Sequence, residues 1–457
     1  MPQVRECVHS GSDVGEGILT REVDAVPGSA PQPSNAPTGF VREGGTLVSD
    51  GVSLEALAAD VGTPAYVYSA PAIRSQYARL SAALDGVPNR LHYSVKANSC
   101  LAILEVLRKL GAGLDIVSGG ELYRAKSAGY RGADIVFSGV GKTRRELEEA
   151  LAFGVLLINV ESADELELLN TIAGEMKMQA PVALRVNPEV MVDTPHPYTR
   201  TGVKGMKFGI PFDETLVVAK RALEMENVRL LGLDMHVGSQ ISEFQPYEIG
   251  LGRLLQLRKE IVAAGADELR YLDIGGGLAV TYDAEHPIDI ERFGQGVRKM
   301  IKPTGLDLIL EPGRFLVGNS GVLLTRVLYR KHSGGKDFII TDAGMNDLLR
   351  PSHYNAFHGI EAVTPRGGKV VADVVGPICE SGDFFGLHRE VDDVQPGDLV
   401  VVRSSGAYGF AMASNYNSRP RAAEVLVERG RYGVVTERED YSDLLRKEKV
   451  EPDWRPA

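Results

Sequence analysis

The sequence predicts an α/β fold, a (β/α)8 TIM-like barrel, followed by a mostly β C-terminal domain. Three observations predict it. Eight short apolar runs recur between Leu91 and Glu311 with helical patterns in the gaps; nearly every run ends in a glycine or a polar residue; and after Arg314 the helical patterns give way to β-rich runs separated by Gly, Pro and Asp. Alternating strands and helices are the signature of βα units, and a barrel built from them keeps its reactive side chains at the carboxyl ends of its strands. Alternation alone also allows an open doubly wound sheet.

Residues 1–39, rich in Gly, Pro, Ser and acidic residues without sustained periodicity, are expected to be disordered. Residues 40–69 hold a short helical pattern, Leu54-Glu55-Ala56-Leu57-Ala58, then Gly62-Thr63-Pro64 and a strand, Ala65-Tyr66-Val67-Tyr68; this segment is expected to pack on the β domain. The barrel is assigned to 70–314, opening with a helix over 71–84. Its strands are expected near Leu91 and over 114–117, 135–138, 156–160, 182–186, 230–236, 271–274 and 306–311, with helices such as 144–153, 163–172, 215–226 and 247–264 between them. Asn98 and Ser99, N-cap residue types, are expected to open the helical pattern Leu101, Leu104, Leu107, Leu110. The β domain is assigned to 315–437, with runs at 322–329, 338–342, 370–375, 399–403 and 423–435, and 438–457 is a tail.

A chain of 457 residues, 44% hydrophobic and 24% charged, can bury a large core over more than one domain. Its net charge of -11, with no basic cluster, argues against a nucleic-acid or anionic-membrane surface. No apolar run approaches the roughly 18 residues of a membrane span, and no signal-peptide pattern opens the chain, so the cytoplasm is the expected location. Cys7, Cys100 and Cys379 are too few and too scattered for a disulfide framework or a cysteine zinc site.

The strand ends carry the chemistry. Lys96 follows the first strand, Asp115 lies in the second, Ser138-Gly139 ends the third, and Arg185 and Asn187 belong to the fifth. The sixth gives His236-Val237-Gly238-Ser239, the seventh Asp273-Ile274-Gly275-Gly276-Gly277, and the eighth Glu311-Pro312-Gly313-Arg314. A partly desolvated lysine amine can form an imine, and a glycine run after a late barrel strand lets backbone N–H groups close on phosphate oxygens. Together with His236 and Glu311 these residues point to a phosphorylated cofactor held by a lysine imine. No metal is expected, because His236 has no ligand-spaced histidine partner.

Seven ordered stretches carry a resemblance: HYSVKAN at 92–98, HVGSQ at 236–240, GGG at 275–277, EPGR at 311–314, DAGMNDLLRP at 342–351, GPICESGD at 376–383 and GAYGFAMASNYNSRPR at 406–421. Through them, over about 40–435, the chain resembles the fold-type III pyridoxal-phosphate decarboxylases, with their alanine racemase-like barrel, and within them the branch that acts on diaminopimelate. The resemblance implies pyridoxal 5'-phosphate as cofactor, bound through Lys96, with His236 stacked on its ring and Glu311 facing its ring nitrogen. It implies Gly238, Ser239, Gly275, Gly276 and Gly277 around the phosphate, helped by Tyr408, with Asp115, Arg185, Gly313 and Arg314 also at the cofactor. A carboxylate such as Glu311 keeps the pyridine nitrogen protonated and so strengthens the electron sink.

The expected reaction is decarboxylation of meso-2,6-diaminopimelate to L-lysine and CO2, the last step of lysine biosynthesis. Arginine matches a carboxylate with two parallel N–H donors, so Arg314 and Arg350, with Tyr354, are the expected clamp for the distal carboxylate, and Glu380 suits the distal ammonium. Cys379 matches the family's proton donor; Lys96, Cys379 and His236 are the expected catalytic residues. By the same resemblance Glu380, Tyr408 and the Cys379 segment complete the site across a two-fold interface, which implies a homodimer. The long fifth connection, from Asn187 through His196-Pro197-Tyr198 to Lys207-Phe208-Gly209, is expected to be a lid. Alternative readings are a decarboxylase of ornithine, lysine, glutamate or carboxynorspermidine, or a non-catalytic cofactor-binding regulator.

Overall fold

The computed structural model describes residues 38–191, 196, 202, 205–283 and 285–455. The segment expected to be disordered lies almost wholly outside these residues, as do Cys7 and, in the fifth connection, Pro197 to Arg200.

Eight parallel strands close into a barrel: β1 (Asn89–Ser94), β2 (Gly113–Ile116), β3 (Ile135–Phe137), β4 (Leu157–Val160), β5 (Ala180–Asn187), β6 (Val228–Asp234), β7 (Tyr271–Asp273) and β8 (Asp307–Leu310). Each pairs with the next, and closure comes from β8 on β1, with Leu308 opposite Asn89 and Leu310 opposite Leu91. That closure excludes the open sheet. The expected strands correspond one for one, because a parallel strand covered by helices outside and side chains inside must be apolar nearly throughout; Leu157, Ile158, Asn159 and Val160 are all buried. Among the buried polar exceptions, Asp115, Asn159, Arg185, Asp234 and Asp273 sit near the strand ends.

The helices begin and stop where local chemistry dictates. In Arg144–Phe153, Thr143 and Glu146 form a reciprocal capping box, and Gly154 ends the helix in the left-handed conformation at φ 73°. The first βα junction differs from expectation. Val95–Ala97 forms a 3₁₀ turn, and the helix Leu101–Lys109 has Cys100 at its N-cap with no side-chain cap. Asn98 Oδ1 instead accepts the Cys100 N–H at 3.0 Å, so Asn98 braces the loop that carries Lys96.

The second sheet runs in the order Phe384–Asp392, Lys369–Val375, Lys336–Thr341, Gly321–Ser333, Ala65–Ser69, Ala423–Glu428, Arg431–Thr436. Leu399–Val402 also pairs with Gly321–Ser333, and with Ile360–Ala362. Three features escaped the sequence reading. The run expected over 423–435 is a hairpin turning at Arg429-Gly430, both at positive φ. Ile360–Ala362 has only three residues. Phe384–Asp392 is an edge strand whose middle, Leu387 to Glu390, is largely solvent-facing, which breaks the apolar signal. Ala65–Ser69 precedes the barrel in the chain yet is buried in this sheet, antiparallel to Gly321–Ser333 and parallel to Ala423–Glu428. Among the described residues no helix is long and apolar enough to cross a membrane.

Candidate active site

Lys96 sits in the turn after β1, and register brings Asp115 of β2 beside Ser94. Lys96 Nζ donates to Asp115 Oδ2 at 3.1 Å, and Ser94 Oγ donates to the same oxygen at 2.6 Å. Burial works to lower the lysine pKa, but the Asp115 and Glu311 carboxylates and the Tyr408 phenol outweigh it, and the net shift is above the ordinary 10.5. The amine is therefore held as an ammonium, pinned to one carboxylate oxygen.

His236 follows β6. Its Nδ1 lies 3.1 Å from the N–H of Gly276, and because a backbone N–H only donates, Nδ1 is the unprotonated nitrogen. Burial, then the Arg185 and Lys96 charges, push His236 well below 6.5, so the ring is neutral. The glycines after β7 are dictated by close approach. A Cβ on Gly275 would lie 2.6 Å from His236 Nδ1, and one on Gly276 only 2.2 Å from the Glu311 carbonyl. The N–H of Gly275 is taken by Asp273 Oδ1 at 2.9 Å and that of Gly276 by His236, so of the three glycines Gly277 alone has an N–H without an acceptor among the described residues.

Glu311, just past β8, receives Ser138 Oγ at 3.1 Å and Asn159 Nδ2 at 3.4 Å on Oε1. Behind it lie Asp234 and Asp273, with carboxylate oxygens of all three within 4.8 Å of one another. Burial raises Glu311 and Asp234 well above their ordinary values, reinforced by the charge of Asp115 and then Asp273 on Glu311 and of Asp273 on Asp234; Asp273, also raised first by burial, reaches about 7. Arg185 balances part of this charge, with Nη1 on Glu161 Oε1 and Nε 3.7 Å from Asp234 Oδ2.

These elements open on a cavity of about 650 Å3. Lys96, Arg185, His236 and Glu311 line it from the barrel, joined by Ser239 and Arg314 from the loops after β6 and β8. Arg350, Tyr354 and Tyr408 enter it from the β domain. Asp115 lies behind Lys96, and Gly313 underlies the β1 end, where a Cβ would meet Ser94 Cβ at 3.0 Å. Gly238 and the three glycines are not among the residues that line the cavity; Gly277 packs on the Gly238 carbonyl, which a Cβ would meet at 2.2 Å. Cys379 and Glu380 do not line this cavity; both are exposed, on the loop after Lys369–Val375, where the Cys379 N–H donates to Asn417 Oδ1 at 2.8 Å. From the fifth connection His196 and Phe208 line the cavity, the His196 ring 5.5 Å from that of Tyr354.

The arginines have an unusual setting. Arg314 Nη1 donates to Tyr282 OH at 2.6 Å, Nη2 reaches Ser239 Oγ at 3.4 Å, and its guanidinium lies 4.7 Å from the Tyr408 ring centre. Arg350 lies over the Tyr282 ring at 4.6 Å, with Nη1 2.8 Å from His358 Nε2. Among the described residues neither guanidinium has a carboxylate partner, although Arg350 is buried and Arg314 half-buried. Tyr282, His358, Asn159 and Glu161 were not foreseen from sequence. None lies in a recognisable motif; only the position of Tyr282 shortly after the glycine run hinted at proximity.

The barrel segment, residues 71–318, matches the family described as "Pyridoxal-dependent decarboxylase, pyridoxal binding domain". Diaminopimelate decarboxylase of Pseudomonas aeruginosa is 48% identical over 407 residues, 89% of this chain and 97% of that protein. The crystal structure of diaminopimelate decarboxylase from Helicobacter pylori complexed with L-lysine superposes with a TM-score of 0.83 at 40% identity, covering 86% of this chain and 98% of that one. A lysine/ornithine decarboxylase from Vibrio vulnificus, complexed with putrescine, reaches a TM-score of 0.73 at 25% identity, covering 82% and 97%. A closed barrel with a lysine at the end of β1, and similarity of this extent over nearly the whole of both chains, lead to one assignment: the chain belongs to the pyridoxal-dependent decarboxylases, and within them to the diaminopimelate decarboxylase family.

Proposed function

We propose that the protein is a cytoplasmic homodimeric enzyme that uses pyridoxal 5'-phosphate to decarboxylate meso-2,6-diaminopimelate, releasing L-lysine and CO2. The observation that carries this reading is the pair Arg314 and Arg350, two guanidiniums without a carboxylate partner among the described residues, in the same cavity as Lys96. Ornithine and lysine, decarboxylated at their only carboxyl carbon, have no second carboxylate for such a pair; diaminopimelate has one.

The residues present fit the cofactor. The unpaired Gly277 N–H and Ser239 suit a phosphate, the neutral His236 ring suits a stacking surface, and Glu311 suits a protonated ring nitrogen. Asp115 Oδ1 and Arg314 Nε are buried without partners in the chain alone. When bound, pyridoxal phosphate supplies the sink for the electron pair left on Cα as CO2 departs. Lys96 then anchors the cofactor, oriented by Asp115, and Arg185 holds the carboxylates behind Glu311 in place. Arg314, Arg350 and Tyr354 orient the substrate by its far carboxylate. Cys379, reaching the second protomer's cavity beside Glu380, delivers its thiol proton to Cα. In this division 70–314 is the cofactor domain and carries Arg314, 315–437 supplies the other substrate contacts and the two-fold interface, and 40–69 contributes a strand to the β domain.

The test is release of CO2 and lysine by protein loaded with pyridoxal phosphate, offered meso-diaminopimelate beside LL-diaminopimelate, L-ornithine and L-lysine. Turnover confined to the meso isomer is expected. A faster reaction with ornithine or lysine would replace the substrate assignment, and cofactor binding without turnover of any would leave the regulator reading.

A further inference from the structure

Two guanidiniums facing one cavity, Arg350 buried and Arg314 half-buried, repel each other, and each needs a partner. The usual solution is a carboxylate from the protein, which would also neutralise the pair. Here the partners are chosen otherwise. Tyr282 stands between them: its hydroxyl accepts from Arg314 Nη1 at 2.6 Å, and its ring carries Arg350 at 4.6 Å. His358 closes the arrangement. Its ring meets the Tyr282 ring edge-on at 5.2 Å and 78°, its Nδ1 lies 2.8 Å from the Arg403 carbonyl, and its Nε2 lies 2.8 Å from Arg350 Nη1. A carbonyl only accepts, so Nδ1 carries the ring hydrogen and Nε2 receives the arginine N–H. Each arginine is thus oriented by an uncharged group that leaves its charge available. The phenol responds to both cations: burial acts to raise its pKa, yet Arg314 and Arg350 bring it below the ordinary 10.0.

We infer that Tyr282 is a specificity-determining positioning residue, which holds Arg314 by its hydroxyl and Arg350 by its ring so that both un-neutralised guanidiniums converge on the distal carboxylate of the substrate. The inference rests on the substrate reading above and deepens it: discrimination between an amino acid with a distal carboxylate and a diamine without one belongs to Tyr282 as well as to the arginines. Tyr282 itself touches neither the reacting carbon nor, on this assignment, the carboxylate.

The test uses holoenzyme carrying Tyr282→Phe, which keeps the ring and removes the acceptor, and Tyr282→Leu, which removes both. The probes are L-lysine, which retains the carboxylate distal to the reacting centre, and cadaverine, the same chain without it. Loss of a hydrogen bond to a charged group predicts that Tyr282→Phe weakens L-lysine about tenfold and leaves cadaverine within about twofold. Loss of the cation–π contact as well predicts about a hundredfold for Tyr282→Leu on L-lysine. With meso-diaminopimelate the Tyr282→Phe loss is expected in KM rather than kcat. Titration with pyridoxal phosphate reports whether each variant keeps an intact site. Unchanged L-lysine affinity in both variants, equal weakening of both probes, or a wild type that binds cadaverine as tightly as L-lysine overturns the inference. If wild-type protein does not turn over meso-diaminopimelate, the substrate reading falls, and the comparison of L-lysine with cadaverine still decides the role of Tyr282.

Discussion

Lys96 and Cys379 divide the expected chemistry, and their geometries differ. Lys96 lies inside the cavity, hydrogen-bonded to Asp115, whereas Cys379 is exposed and outside it. Substitutions should separate the two. Lys96→Ala is expected to abolish the visible absorbance of covalently held cofactor, because among the described residues no other lysine lines the cavity. Cys379→Ala is expected to keep that absorbance and to lose turnover by about a hundredfold or more, the usual cost of removing a general acid. A fully active Cys379→Ala protein would remove the thiol from the mechanism. Lys96 was singled out in the sequence by its place at a strand end, and the structure puts it in the cavity; Cys379 was singled out only by motif resemblance. Tyr282 and His358 were not, because their significance is their contact with arginines 32 and 8 residues away in the chain, respectively.

At the scale of elements, the helices around the site are anchored by side chains that serve their own N-termini. The helix Gly119–Ser127 begins with Ser118 Oγ accepting the Glu121 N–H, while Glu121 Oε2 accepts the Val117 N–H at 2.7 Å. Burial raises the Glu121 pKa against the lowering effect of that hydrogen bond, from 4.5 to about 7. A folded pKa above the unfolded one means that the protonated carboxyl contributes stability below 4.5, and the contribution is lost as pH rises through about 7. Glutamine keeps the acceptor and does not ionise. Glu121→Gln should therefore gain about 2 kcal/mol on the wild type between pH 5 and pH 8, read from urea unfolding at both values. A difference that does not change with pH would place the Glu121 carboxyl in water. Neither this cap nor the three-residue strand Ile360–Ala362 was read from the sequence; the one cap expected there, at Asn98 and Ser99, is replaced by Cys100, and so short a strand has no period to detect.

For the whole molecule, the barrel and the β domain meet at the cavity. The Tyr408 N–H donates to the Ala97 carbonyl at 2.7 Å and Asn98 Nδ2 to the Gly406 carbonyl at 3.0 Å, so the turn bearing Lys96 is tied directly to the loop bearing Tyr408. The exposed Cys379 and Glu380 fit a site completed by a second copy of the chain. If so, Lys96→Ala and Cys379→Ala homodimers, each inactive, should complement when unfolded together and refolded. Half of the dimers would be mixed, each with one intact site, restoring about a quarter of wild-type activity. Absence of recovery, with mixed dimers demonstrated, would put both residues in the same protomer's site.

By itself the sequence determined the eight alternating strands, their order along the chain and the residues at their ends, because strand, helix and glycine turn are local preferences written at fixed spacing; that the strands close into a barrel rather than an open sheet was decided by the pairing of β8 with β1. The sequence also located the β domain, though not its edge strand, whose exposed middle erases the apolar pattern. Tertiary structure alone decided that Ala65–Ser69 joins a sheet built from residues more than 250 positions later, that Gly275 and Gly276 spend their N–H groups on Asp273 and His236, and that two arginines share one tyrosine. Those are long-range pairings. They depend on which surfaces the closed barrel and the second sheet bring within hydrogen-bond distance, and no local spacing encodes them.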